Sequence, residues 1–385
     1  GLNPSPTAPV LPDGVTTLRD LDDAGRLRAA VADRRHVVIL GGGVLGLEAA
    51  LAAADEGCRV TVVHHGRHPM ERQLDLGAGT TLGSTLQRRG LSLLAEARAV
   101  GVVLRNGVFH ALKLEDDVLV PGDLLVLACG ARPRKELAEG AGLTVRTGIV
   151  VDHSLRAVHT EHLFAIGDCA EIRCPDPDCR PCAASSGPSG LIAPGWRQAD
   201  WLAAAFAAEV RGSAPAPPLP EEQPGVILLK ARDVNLAAAG DLRSDPWLES
   251  SQEEVSVWAD PSKGRYVKMC TRQGVLTGFV ALGMPRVAAE LTLLFSSGGS
   301  LPDDRSALLR LDGPDAAHGP SRAAAGPGSL LCRCAGVTRG SVEEAVMDGC
   351  DSVEDVSRVT TAGTGCGGCK DGIRELIEEH FARAV

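Results

Sequence analysis

RHVVILGGGVLGLEAALAAADEGCRVTVVHH, residues 35–65, is the stretch that fixes how the chain is read. An apolar run, Val37 to Leu40, meets Gly41, Gly42, Gly43 and Gly46; an alanine-rich segment follows, and a second β-type run spans Val60 to Val63. The order is strand, glycine turn, helix, strand. Gly41 permits the tight turn and Gly43 lets a pyrophosphate approach the backbone. Gly46 lets the helix pack on the strand, so that the helix N-terminus, with Val44 and Leu45 in its first turn, faces two negative phosphates. A bare G-x-G-x-x-G also occurs in glycine-rich turns of other α/β units. Set between two strand-like runs within ~30 residues, it has the context of a dinucleotide fingerprint.

A length of 385 residues predicts two or three domains of ~100–200 residues each. Hydrophobic residues make up 44% and charged residues 23%, ordinary for a globular protein. Aromatics are only 3%, with a single Tyr, and the formal charge is −10. Both argue against a nucleic-acid partner, which calls for stacking platforms and a basic surface. No apolar run approaches the ~18 residues of a membrane span, and the N-terminus lacks a signal pattern. The expectation is a cytoplasmic protein with no membrane partner. The opening GLNPSPTAPVLPDG is proline-rich and lacks Met, and reads as the interior of a longer protein. Twelve cysteines fall into groups, which favours metal or redox chemistry over a disulfide framework.

Ahead of the fingerprint, Leu18, Leu21, Ala24, Leu27 and Ala30 predict a helix over Thr17 to Val31. After it the pattern predicts a helical segment, Met70 to Arg89, and strands at Leu91 to Leu94, Val100 to Leu104 and Leu124 to Leu127. At the end of the second strand of such a unit a carboxylate usually holds the adenosine ribose hydroxyls. Here the positions read His64, His65, Gly66, Arg67. With no acid there, either Arg67 or the histidines, His64 and His65, meet a 2′-phosphate, or the loop is simply solvated.

GGGVLGLEAA, VTVVHHGRHPMERQLD and LLVLACGARPR together resemble the nicotinamide-binding half of the FAD-dependent pyridine-nucleotide oxidoreductases. The histidine after VTVV, with MERQLD, is similar to one branch of that family: the large subunit of NADH-dependent nitrite reductase and the electron-transfer subunit of assimilatory nitrate reductase. The resemblance implies that the Gly41 to Gly46 loop holds NAD(P)H, that Gly130 belongs to the cofactor-binding set, and that Glu48 lies near the nicotinamide. Glu48 reads equally well as a carboxylate complementing the positive end of its helix.

RAVHTEHLFAIGDCAE, residues 156–171, resembles the second FAD motif of the same family. It implies a strand, Leu163 to Ile166, that delivers Gly167 and Asp168, whose carboxylate receives a ribityl hydroxyl. The alternative is that Asp168 caps the next element. GLIAPGWRQADWLAAAFAAE matches the helix after that motif, its N-terminus near Pro194 to Trp196 facing the flavin. The family's flavin lobe normally opens with its own βαβ unit ahead of the nicotinamide domain. None is present here, so the FAD-binding domain is expected to be partial and to hold FAD weakly by itself.

Cys169, Cys174, Cys179 and Cys182 are spaced C-x4-C-x4-C-x2-C. They are either a zinc site or reduced, unligated thiols. A proline-rich linker follows. Then VILLKA, VSVWAD, YVKMCT and VLTGFVAL alternate with turns before a helix, Pro285 to Phe295, where the family has a small α/β interface domain. Cys270 reads as a packed thiol.

Near the C-terminus Cys332 and Cys334 form C-x-C, and Cys366 and Cys369 form C-x2-C after 31 intervening residues. Between them Ser341 with Glu344, and Ser352 with Asp355, read as helix starts, and Gly349 as a stop. A last helix carries Ile373, Leu376, Ile377 and Phe381. The pattern resembles the bacterioferritin-associated-ferredoxin-like [2Fe–2S] domain, with these four cysteines as metal ligands. Zinc is the alternative, although a close C-x-C pair is uncommon in zinc sites.

The fold expected is α/β, with these divisions: 1–34, a linker and helix from a truncated FAD domain; 35–130, a Rossmann-type NAD(P)-binding domain; 131–211, the second part of the FAD-binding domain; 225–311, the interface domain; 312–328, a linker; 329–385, a small helical [2Fe–2S] module. The implied electron path runs from NAD(P)H through FAD to the cluster and on to a protein acceptor. With no sirohaem domain in the chain, that acceptor is expected to be the catalytic subunit of an assimilatory nitrate or nitrite reductase. The alternatives are a ferredoxin-type reductase for another acceptor and a nucleotide- and metal-binding redox regulator. Residues 330–385 hold six Lys/Arg and ten Asp/Glu, a net of −4, which suits a partner with a basic face.

Overall fold

Val37, Val38, Ile39 and Leu40 show no polar alternation, and such a run sits only where both faces of a sheet are covered. The computed structural model describes residues 11–173, 179, 190, 192–214, 219, 225–248, 253–312, 326–332, 335–364 and 369–383. The first part of the chain builds β1 (Val15–Thr17), α1 (Leu21–Ala32), β2 (His36–Leu40), α2 (Val44–Asp55), β3 (Arg59–Val63), α3 (Leu76–Arg88) and β4 (Ser92–Leu94). It continues with β5 (Ala99–Arg105), β6 (Val108–Leu114), β7 (Leu119–Pro121) and β8 (Leu124–Leu127). The main sheet has the order β1-β8-β2-β3-β4 with every pairing parallel. β2 is its centre, and Val37, Val38 and Ile39 are fully buried. β5, β6 and β7 form an antiparallel sheet over one face, closing a core of Val38, Leu40, Phe109, Leu112 and Leu125.

Two helices start later than the apolar pattern predicts. Residues 15–17 pair in parallel with β8, so the first helix begins at Leu21, where Asp20 accepts the Asp23 N–H. Met70 stands at φ +55, outside helical space. The next helix therefore waits until Leu76, and the Asp75 carboxylate accepts the Ala78 N–H at its start.

Residues 130–225 form a separate compact unit. It contains α4 (Glu136–Gly140), β9 (Ile149–Val151), a single 3-10 turn at Gly167–Cys169, β10 (Ala170–Ile172) and α5 (Ile192–Arg211). The strand expected over Leu163 to Ile166 does not form. Its hydrogen bonds go back to the preceding loop, Ala157 N–H to Leu163 and Ala165 N–H to Leu155, leaving one bridge between Arg156 and Phe164. The helix expected to begin near Pro194 begins at Ile192, and a first-turn proline costs it no hydrogen bond.

From residue 226 the chain returns to the first unit. It adds β11 (Ile227–Ala231), β12 (Val234–Gly240), β13 (Glu254–Asp260), β14 (Arg265–Arg272), β15 (Val275–Leu282), α6 (Pro285–Ser297) and a short α7 (Ser306–Leu309). The antiparallel order is β11-β12-β15-β14-β13. Four of these strands match the β-type runs of the sequence. β12 does not, because its Leu236 to Ala239 run lacks β-branched residues. Alternation explains the burial. Leu236, Ala238, Cys270, Val280 and Leu282 share one core with Leu47, Leu51 and Leu82 of the nucleotide domain, whereas Ala237, Ala239, Val267, Met269, Phe279 and Ala281 pack with α6.

The C-terminal module has β16 (Leu330–Cys332), β17 (Val337–Thr338), α8 (Arg339–Met347), α9 (Val353–Thr360) and α10 (Lys370–Arg383). Ser352 caps α9, accepting the Asp355 N–H at 3.2 Å, and Gly349 follows α8 at φ +105. Ser341 does not start α8. Thr338 does, accepting the Ser341 N–H, because β17 delivers Thr338 in the extended conformation that a cap needs. Among the described residues no helix is long and apolar enough to cross a membrane.

Candidate functional site

At the C-terminal edge of the parallel sheet, the turn from β2 into α2 leaves no room for side chains at three positions, Gly41, Gly42 and Gly46, the second facing the His64 ring. A Cβ on Gly41, whose φ is +128, would lie 2.3 Å from the Ala128 oxygen; one on Gly46 would lie 2.2 Å from the Gly41 oxygen. Gly43 differs, with nothing within 4 Å of its Cβ position. Gly43 is also the N-cap of α2 and supplies no side-chain hydrogen bond to the helix, whereas Asp20 and Asp75 do so for α1 and α3. The arrangement is an open cradle at a helix N-terminus, suited to a diphosphate. Val44 is half-buried and Leu45 exposed in the first turn, and Glu48 sits half-buried one turn further on.

The loop after β3 is tied to this turn. Met70 N–H donates to the Gly42 oxygen at 2.9 Å, and Gly42 N–H donates to His64 Nδ1 at 3.3 Å. Because Nδ1 accepts, the neutral ring carries its proton on Nε2, a buried atom that makes no hydrogen bond. Burial, then the neighbouring His65, draws the His64 imidazole below the usual histidine value; the His68 backbone and Glu71 oppose the shift without reversing it. Arg67 and Glu71 are exposed, and the Arg67 N–H donates to Glu71 Oε1 at 3.3 Å. Glu71 is the member of this loop that inspection of positions 64–67 misses. Its signal was the acid of MERQLD, set outside the usual offset.

Cys129, after β8, donates its thiol to the Leu40 oxygen at 3.3 Å, beside the glycine turn, and burial pushes that thiol up. Gly130 follows at φ +98.

In the second unit Gly167 has φ +69 and its N–H donates to Gln198 Oε1 at 2.7 Å. A Cβ on Gly195 of α5 would stand 3.1 Å from the Gly167 Cα, so the motif and the helix start are in close backbone contact. Asp168 is exposed in the 3-10 turn. Glu171 beneath it is buried. Burial pushes its carboxyl up, but the Gly148 N–H, Arg173 and Arg146 outweigh that and hold it below the usual value.

Family models match residues 3–189 as "Pyridine nucleotide-disulphide oxidoreductase" and residues 330–379 as "BFD-like [2Fe-2S] binding domain". The chain thus matches the pyridine nucleotide-disulphide oxidoreductase family over just under half of its length and a BFD-like [2Fe–2S] domain near its C-terminal end. Nitrite reductase [NAD(P)H] of Bacillus subtilis is 29% identical over 371 residues, 95% of this chain and 42% of the relative. The assimilatory nitrate reductase electron transfer subunit of the same organism is 28% identical over 373 residues, 94% of this chain and 44% of the relative. The chain thus spans less than half the length of these curated relatives. A ferredoxin reductase from Rhodopseudomonas palustris superposes with a TM-score of 0.61 at 24% identity, over 77% of this chain and 70% of that one, which bears out the α/β fold.

The pyridine nucleotide-disulphide oxidoreductase family takes FAD and NAD(P)H, and the BFD-like domain takes a [2Fe–2S] cluster, as the motifs implied. The residues present fit these groups. The glycine cradle would admit a diphosphate, and the close Gly167–Gly195 approach would present backbone rather than side chains to a flavin. In the C-terminal module Cys332, at the end of β16, and Cys369, just before α10, are buried in one core cluster with Val342, Val356 and Ile373. Cys334 and Cys366 lie outside the described residues. In the insert, Cys169 donates to the Ile166 oxygen and Cys179 Sγ stands 3.3 Å from His153 Nε2; Cys174 and Cys182 lie outside the described residues. Among the described residues no group of three or more His, Cys, Asp or Glu side chains is placed to hold a metal ion.

Proposed function

We propose that this chain is the electron-transfer part of an NAD(P)H-dependent reductase and that it feeds electrons, through FAD and a [2Fe–2S] cluster, to a catalytic centre for nitrate or nitrite. The reading is carried by one observation: a nucleotide-binding family and a one-electron cluster domain follow one another in a single chain, aligned over 94–95% of its length with relatives named for nitrite and nitrate reduction. FAD, when bound, couples two-electron hydride transfer to one-electron acceptance.

The chain's own residues supply binding and placement. Backbone amides at Gly43 and the start of α2 receive the diphosphate, and the Met70–Gly42 hydrogen bond holds the ribose-side loop against them. Glu48 is assigned to the nicotinamide end. Asp168 is assigned to the ribityl hydroxyls, with Gln198 fixing the preceding glycine. Cys332, Cys334, Cys366 and Cys369 are assigned to the cluster. A cytoplasmic location and a basic acceptor face complete the reading.

The test is an anaerobic absorption and EPR spectrum of the purified chain supplied with FAD, taken before and after NADH and then dithionite, with iron and zinc counted. A rhombic one-electron signal with about two irons, produced by NADH, supports the path. Zinc without iron in protein kept anaerobic throughout refutes it and leaves a nucleotide-binding protein with structural metal.

A further inference from the structure

The sequence puts no acid at the end of β3, where dinucleotide sites that take NADH place a carboxylate on the adenosine ribose. The fold brings one there from eight residues downstream of Val63. Met70 stands at φ +55 and donates to the Gly42 oxygen, turning the chain back so that Glu71 lies over residues 66 and 67. One hydrogen bond holds the carboxylate, Oε1 accepting the Arg67 N–H at 3.3 Å, and Oε2 lies in the space above Gly66, 2.2 Å from where a Cβ on that residue would stand. The same Cβ position lies 2.6 Å from His64 Nε2. An exposed carboxylate and a buried, unpartnered Nε2–H donor therefore converge on Gly66, beside the glycine cradle.

We propose that Glu71 is the ribose-recognition residue of this site and makes it selective for the unphosphorylated dinucleotide, NADH, over NADPH. A ribose 2′-hydroxyl can donate to the Glu71 carboxylate and, with a small swing of that exposed side chain, accept from His64 Nε2. It satisfies both groups. A 2′-phosphate reaching the same point meets the carboxylate as a like charge. Arg67 takes part through its backbone N–H, which donates to Glu71 Oε1 and holds that carboxylate in place. His64 adds no positive charge, since burial keeps its ring neutral.

The inference rests on the proposed nicotinamide nucleotide site, and the two can fail separately. Calorimetric titration of the purified chain with NADH and with NADPH, repeated on Glu71→Gln and Glu71→Arg, reads binding without turnover. The expected result is tighter binding of NADH by the wild type. In Glu71→Gln the NADPH/NADH ratio of dissociation constants narrows by about tenfold, the worth of one charge-assisted hydrogen bond; in Glu71→Arg it inverts. Preference of the wild type for NADPH, or a ratio unchanged in Glu71→Gln, overturns the inference and leaves the nucleotide site standing. Binding of neither nucleotide by the wild type overturns both. Glu71 is solvent-exposed, and matching far-ultraviolet spectra and melting points establish that the variants fold.

Discussion

Tyr266 donates its hydroxyl to Asp75 Oδ2 across 2.8 Å, joining residues 191 positions apart. The same oxygen takes Lys268 Nζ at 3.1 Å, and the other carboxylate oxygen caps α3. Lys268 is only 3% exposed and also donates to the Leu242 oxygen. One aspartate thus starts a helix of the nucleotide domain and neutralises a buried cation of the second sheet.

Asp75→Ala is expected to lower stability by about 3–5 kcal/mol, because it leaves a buried ammonium without its counter-charge. Asp75→Asn retains the cap, worth ~1 kcal/mol, and should lose correspondingly less. Tyr266→Phe should lose about 1 kcal/mol. Urea unfolding of the three variants orders them, and equal losses for the alanine and asparagine variants would show that the cap contributes nothing.

Gly43 and Gly46 should separate binding from stability. Gly46→Ala drives a Cβ to 2.2 Å from a backbone oxygen and is expected to cost about 1–3 kcal/mol as well as nucleotide affinity. Gly43→Ala meets open space in the free protein, so its melting point should hold while ADP-ribose binding falls. Retained binding in Gly43→Ala would argue against a diphosphate in the cradle.

His64 makes stability pH-dependent. Its folded pKa lies below the unfolded value, so the native state holds fewer protons. The contribution is complete above the unfolded value of about 6.5 and is lost as the pH falls below it toward the folded value. His36, lowered first by burial and then by Arg59, acts in the same direction. The urea midpoint should drop between pH 7 and pH 5, with a shallower drop in His64→Gln and the remainder belonging to His36.

Cysteine reactivity should sort by environment. Cys270 is fully buried, and burial pushes its thiol up to about 11. It should react with a thiol reagent only on unfolding. Cys332→Ser and Cys369→Ser should abolish the reduced cluster signal, whereas Cys270→Ser leaves it. A signal that survives Cys332→Ser would remove that residue from the ligand set.

What could be read from sequence followed from short-range rules. The unit of strand, glycine turn, helix and strand at residues 35–65, and the Ser352 start of α9, involve groups a few positions apart, whose sterics and hydrogen bonds are set by the local chain. The same rules fail where distant partners compete. Thr17 leaves the predicted helix to join Val15 and Thr16 in pairing with β8, and the Leu163 to Ile166 run bonds back to its own loop instead of forming a strand. β12 is a strand only because both its faces are covered. The chain by itself determined the dinucleotide fingerprint, the cysteine spacings and the family they signal. Only the tertiary structure decided that the sheet of β11 to β15 shares a core with the nucleotide domain, that Asp75 meets Tyr266 and Lys268, and that Glu71 lies over Gly66. The first two depend on packed faces that close long gaps in sequence, and the third on the positive-φ turn at Met70, which no local propensity signals.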